Sequence, residues 1–156
     1  MYLTGKNRGF FKKEIVFTRD DGYETAVFRV EGMRGVLTLA DGTQHFYLTD
    51  LEKAANGVSL GWTSGGQDIC VIDPLNPQTM LDGLAYGGHR YGLKPEEGKN
   101  FTLLRGGQSY GLIERKGFLG GQMTVQSSRD IPVEIVGALA YLAMIYGALG
   151  VLGALR

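Results

Sequence analysis

Thiolate or zinc chemistry would have to draw on one cysteine, Cys70, and two histidines, His45 and His89. A Cys–His pair makes a nucleophile where the thiol is accessible and its pKa is lowered. Cys70 instead sits in the apolar run "ICVI" and reads as an inert core thiol. The three residues match no zinc spacing, and the scattered aspartates match no calcium loop. No P-loop or dinucleotide fingerprint is present. The expectation is a non-enzymatic chain with no catalytic residue, no metal and no cofactor.

Two polar stretches could bind rather than react. In "YGGHRYGLK", Gly87 and Gly88 would let backbone approach a ligand, while His89, Arg90 and Lys94 offer donors for a phosphate or carboxylate. The solvated face of a strand in a glycine-rich meander carries the same residue types, so both readings stay open. In "GKNRGFFKK", Lys6, Arg8, Lys12 and Lys13 interleave with Phe10 and Phe11. That combination suits an anionic membrane surface, at about 1 kcal/mol per cation held there. The simpler alternative is a solvated edge strand whose lysines block sheet-to-sheet association.

These residues must be positioned by something, and composition bounds what. The 156 residues are 44% hydrophobic and 21% charged, which fits one globular domain with a real core. Sixteen cations balance sixteen anions, with a pI near 6.7, so the basic footprint of a nucleic-acid binder is missing. Trp62 and the tyrosines are expected in a core or at its rim, not on a base-stacking platform. A lone cysteine, with no apolar leader behind "MYLTGKNRGFFKK", points to the cytoplasm.

From Phe10 to Gln126, glycine-rich turn signals recur every eight to twelve residues or so, the spacing of an antiparallel all-β protein. They fall at Asp20–Gly22, Asp41–Gly42, Gly65–Gly66, Gly106–Gly107 and Lys116–Gly117. Asp-Gly and Gly-Gly supply the positive φ that tight hairpins need. Between them alternation is readable: Ile15 and Phe17, Ala26, Phe28 and Val30, and Val58, Leu60 and Trp62 form apolar faces. Further strands are expected at Val36–Ala40, Gln44–Thr49, Asp68–Asp73, Leu84–Tyr86, Arg90–Lys94, Phe101–Arg105, Ser109–Arg115 and Phe118–Gln126, the last bulged at Gly120–Gly121. "DPLNPQTMLDG" and "KPEEGKN" read as loops. Gly-Gly-Gln recurs at Gly65, Gly106 and Gly120 and reads as three separate hairpins.

The segment from Ile131 to Arg156 holds only Glu134 near its start and Arg156 at its end. It is helical by composition, with Pro132 and Glu134 in the first turn. A helix apolar all round belongs in a membrane or wholly inside a protein. Taken from Pro132 to Leu155 it would extend about 36 Å at 1.5 Å per residue, enough for a bilayer. If the glycines Gly147, Gly150 and Gly153 end it near Leu149, it reaches only about 27 Å. Eleven or twelve strands also leave a bore that needs a filler, which favours a buried helix. The alternative is a tail anchor whose small-residue stripe, Ala140, Ala143, Gly147, Gly150 and Ala154, pairs two helices in lipid.

A β-rich chain ending in "DIPVEIVGALAYLAMIYGAL" resembles the tubby-like superfamily, most closely the LURP-one-related proteins, relatives of the phospholipid scramblases. The run "LLRGGQSYGLIERKGFLGGQMTVQ" is similar to that family's hairpin through Gly107, Gly111, Ile113 and Arg115. The resemblance implies one domain: a roughly twelve-stranded antiparallel β-barrel over 1–130 enclosing a hydrophobic helix over 131–152. It also implies a cytoplasmic module that binds a lipid headgroup or a protein partner at a membrane surface. Scramblases carry an acidic calcium segment before their last helix, whereas here only Asp130 and Glu134 stand in that region. Calcium-driven scrambling is therefore not expected.

Overall fold

A computed structural model of the chain describes residues 2–8, 14–31, 34–50, 59–64, 67–69, 84–97, 100–116, 122–128 and 130–154. Among these, twelve strands precede one helix. The strands are β1 (Tyr2–Arg8), β2 (Glu14–Arg19), β3 (Glu24–Glu31), β4 (Arg34–Leu39), β5 (Gln44–Asp50), β6 (Ser59–Ser64), β7 (Gln67–Ile69), β8 (Leu84–Tyr86), β9 (His89–Pro95), β10 (Phe101–Arg105), β11 (Gln108–Lys116) and β12 (Gln122–Ser128). The helix, α1, spans Val133–Ala154. All strands join one antiparallel sheet in the order β7-β6-β5-β4-β3-β2-β1-β12-β11-β10-β9-β8. Among the described residues no ladder pairs β7 with β8, so the sheet is open in its hydrogen bonding.

The hairpins close where the sequence supplies positive φ. Gly22 and Gly42 sit at 85° and 89°, while Gly87–Gly88 and Gly106–Gly107 take both central positions of two-residue turns at 58° and 80° and at 57° and 80°. Two successive positive φ values define the primed turn that matches strand twist. The expected alternation holds in β3, where Ala26 and Phe28 are buried and Val27 and Arg29 less so; in β2 it is broken, because Val16 is buried along with Ile15 and Phe17. Val30 packs against the same core. Register shifts fall at Phe17/Thr18 and Leu103/Leu104; Gly120 and Gly121 lie outside the described residues, as do Gly65, Gly66 and Gly117.

A single core gathers inward side chains of β1–β5 and β8–β12 around Ile135–Ala143 of α1. The helix packs on β4, β5 and β9. In the sheet order β5 and β9 are eight spacings apart, roughly 38 Å in a flat sheet at 4.7–4.9 Å each, several times the helix radius. One helix touches both because the sheet curls around it. Taken over the residues whose surroundings are described, which for α1 end at Met144, no helix is long and apolar enough to cross a membrane.

Three expectations need correction. β1 is not an edge strand: it pairs with β12 on one side and β2 on the other, and the edges are β7 and β8. Its glycine makes this possible, because a Cβ on Gly5 would lie 2.7 Å from the Phe17 ring. The helix starts two residues later than expected, since Pro132 stays outside it while its carbonyl accepts from the Ile135 and Val136 amides. It also runs past Gly147 and Gly150 to Ala154, alanine and leucine outweighing glycine's roughly 1 kcal/mol penalty. Finally, β12 extends to Ser128, drawn on by pairing with Tyr2.

Candidate functional site

The strand ends define a proximal end, where α1 begins, and a distal end. The proximal end receives the turns β2–β3, β4–β5, β8–β9 and β10–β11, and it is held by directed bonds. Tyr47, wholly buried on β5, donates its hydroxyl to the Glu134 carbonyl at 2.7 Å. Tyr86 at the end of β8 donates to Glu134 Oε1 at 3.2 Å. Burial, then the Glu134 charge, raises both tyrosine pKa values above the ordinary phenol range, so these hydroxyls remain donors. Below them Tyr47 stacks on Tyr141 at 6.0 Å and Phe28 tilts against both rings at 6.0 and 6.2 Å. Tyr47 thus fixes α1 by its ring and its hydroxyl together.

The chain enters the helix through Asp130. The Ser128 hydroxyl donates to Asp130 Oδ1, and Arg105 at the end of β10 lies 3.0 Å from its other oxygen. The serine first, then Arg105, holds this carboxyl below its ordinary value of 3.8. Two aspartates do the same work in the turns. Asp21 accepts from the Tyr23 amide at 3.0 Å and Asp41 from the Thr43 amide at 2.9 Å, and those backbone bonds are the main reason that both carboxyls sit low.

Between the β2–β3 hairpin and the start of α1 lies a cavity of about 240 Å³, lined by Leu3, Thr25, Ile131, Pro132 and Val133 with Arg19 and Asp20. Arg19 Nη2 binds Asp21 at 2.9 Å, while its Nε is buried with no hydrogen-bond partner among the described residues. A larger depression of about 390 Å³ crosses β2, β3 and β4 on the outer side near Val27 and Arg29.

The residues singled out in "YGGHRYGLK" do not converge. Gly87 and Gly88 form the β8–β9 turn, and His89, Arg90 and Lys94 are all exposed on β9. Arg90 and Lys94 share one face, four residues or roughly 13 Å apart, and His89 falls on the other. Lys94 lies 3.8 Å from Glu96, and the His89 ring meets Tyr91 edge-on at 6.3 Å. His45 is buried in β5 opposite Leu37; Cys70 lies outside the described residues. Among the described residues no three His, Cys, Asp or Glu side chains assemble as a metal set.

Of the membrane-surface candidates, Lys6 and Arg8 are strand positions of β1, and Phe10, Phe11, Lys12 and Lys13 lie outside the described residues. Pairing adds residues that sequence proximity hides. Lys6 stands opposite Thr124, and continuing that register brings Arg8 opposite Gln122, which pairs on its far side with Lys116. Arg8 and Lys116 are therefore two strands, about 10 Å, apart. Lys116 went unnoticed in the sequence, and Arg115 was read there only as part of a hairpin, because nothing local joins residue 8 to residue 116. Tyr23 and Arg19 went unnoticed because exposure and an unmet N–H are tertiary facts.

Compared with protein-family models, with curated proteins and with solved structures, the chain matches none of them.

Proposed function

We propose that the chain is a cytoplasmic, non-enzymatic barrel module of the tubby-like, LURP-one-related class that binds anionic phospholipid headgroups at the distal end of its sheet. The barrel reading rests on the curl around α1 and on the edge strands β7 and β8, which have Cα atoms within 8 Å of each other. Among the described residues the helix occupies the bore, so a ligand meets an end or the outer face.

The observation that carries the lipid reading is the β1–β12 pairing. It sets the strands flanking two basic, aromatic segments side by side. By sequence, Lys6–Glu14 and Glu114–Gln122 together carry Lys6, Arg8, Lys12, Lys13, Arg115 and Lys116 against Glu14 and Glu114, with Phe10, Phe11 and Phe118. Four net cations at about 1 kcal/mol each give salt-sensitive, peripheral binding.

Co-sedimentation of the full chain with phosphatidylcholine vesicles, with and without a fifth of phosphatidylserine or a phosphoinositide, tests this. Binding should require the anionic lipid, wash off in high salt, and fall at least tenfold in Arg8→Glu/Lys116→Glu. Equal binding to neutral vesicles, or an unaffected variant, defeats the reading. Retention after a salt wash would support the anchored alternative instead.

A further inference from the structure

The proximal end offers a different surface, independent of the lipid reading. We propose that it docks a cationic segment of a partner protein, one of whose aliphatic side chains enters the cavity between Thr25 and Ile131.

Size comes first. Small-molecule sites run to about 300–1,000 Å³, and this cavity is about 240 Å³. It suits a single side chain presented by a larger partner better than a cofactor or metabolite. Polarity comes second. Leu3, Thr25, Ile131 and Pro132 give the cavity an apolar wall, while the Arg19 Nε–H is a buried donor without an acceptor among the described residues. Its Nη2 is held by Asp21 at 2.9 Å, which fixes where the Nε–H points. Buried donors ordinarily find partners, and a main-chain carbonyl beside an inserted side chain supplies one.

Charge decides the class of partner. The hairpin Arg19–Glu24 carries Asp20, Asp21 and Glu24 against Arg19, a net charge of minus two. An anionic lipid headgroup is repelled there and a basic peptide attracted. Tyr23, at the tip of the same hairpin, is 64% exposed, the only large hydrophobic so exposed among the described residues. Tyrosine is a preferred anchor of protein interfaces, and its face also attracts cations. The cavity, the unmet N–H, the exposed ring and the acidic charge converge on one hairpin.

Fluorescence anisotropy with labelled, capped peptides KKLKK, KKGKK and EELEE and the full chain tests the proposal. KKLKK should bind saturably and at least fivefold more tightly than KKGKK, and EELEE not at all. Tyr23→Ala, and Arg19→Lys, which keeps the charge but lacks Nε, should each weaken KKLKK at least threefold. Tyr23→Ala is at an exposed tip and should melt as the parent does, so it decides even if Arg19→Lys disturbs folding. Absence of saturable binding, equal affinity for KKLKK and KKGKK, or indifference to Tyr23→Ala overturns the proposal. So does loss of anionic-vesicle co-sedimentation in Tyr23→Ala, which would make the occupant a lipid. A Tyr23-dependent dimer in sedimentation overturns it too, by making the occupant a second copy.

Discussion

The interior around α1 and the proximal end lie within a few ångströms of each other and are built by opposite means. Inside, Phe17, Phe28, Leu37, Leu93, Leu103 and Ile113 meet Ile135–Ala143 at essentially zero exposure, and each such side chain is worth about 1.5–3 kcal/mol by area alone. The Tyr47 hydroxyl adds one directed bond from the strands to the helix. At the proximal end the reverse holds: Asp21, Asp41 and Asp130 are exposed and act through aimed bonds to one or two partners each. Stability is thus concentrated in the interior, while responses to pH and to partners belong to the rim. Substitutions placed on either side of that division test it.

The largest effect should come from removing the filler. Deletion of Ile131–Arg156 strips the inner face of α1, its only helical cover among the described residues, and should abolish cooperative unfolding in calorimetry. A truncated chain that melts cooperatively as a monomer would show that the strands pack without α1. Ala143→Lys is the point version. Ala143 is fully buried, and a cation there has no partner prepared for it, an expected cost of 4 kcal/mol or about that against a total stability of roughly 5–15. Gly111→Ala should follow closely. The added Cβ would collide with the Gln126 carbonyl oxygen on β12, and a backbone atom in a paired strand cannot step aside.

A smaller and more informative effect sits where interior and rim meet. Tyr47→Phe removes the bond to the Glu134 carbonyl and should cost about 1 kcal/mol. Gly137→Ala should also destabilise, despite alanine's advantage of about 1 kcal/mol in a helix, because its Cβ would lie 2.7 Å from the Tyr47 hydroxyl. In the Tyr47→Phe background that obstacle is gone, and Gly137→Ala should become neutral or stabilising. A double-mutant cycle by urea unfolding reads the coupling directly. Additive costs would mean that the hydroxyl does not set the helix's distance from β5.

The same division explains what the sequence revealed. The inner faces of β2 and β3 were legible because Ile15, Phe17, Ala26 and Phe28 recur at a period of two and all four are buried, although Val16 between the first pair is buried as well. So was the helix, from its unbroken apolarity, while its burial was read from the number of strands that need a filler. β1 was not. "YLTGKNR" offers one apolar inward residue, Leu3, and its strand is imposed by β12, which is more than a hundred residues away in the chain. Gly87–Gly88 left two readings open for a related reason: two positive φ angles serve an anion nest and a primed turn alike, and it is the pairing of Tyr86 with His89 that shows the turn. The acidic, Tyr23-bearing rim was illegible because no residue in it is unusual until its neighbours are known.

The smallest expected effect concerns the rim carboxylates. Asp21, Asp41 and Asp130 each have a folded pKa below the ordinary 3.8, so the folded state favours their charged form. The stability they contribute is fully present above the unfolded value, near 3.8, and is lost as pH falls through the lowered folded value. Melting temperature should therefore be flat from about pH 7 to 5 as far as these groups are concerned, and fall below about pH 4. Asp21→Asn/Asp41→Asn keeps an amide oxygen for the Tyr23 and Thr43 amides but removes the charge. Its melting curve should lie slightly below the parent's at about pH 6 and converge on it as the pH falls through the lowered folded values, where the parent's carboxyls also become neutral. A gap that persists unchanged into acid would assign the difference to turn geometry and not to charge, and would place the acid response of the protein elsewhere than at these two turns.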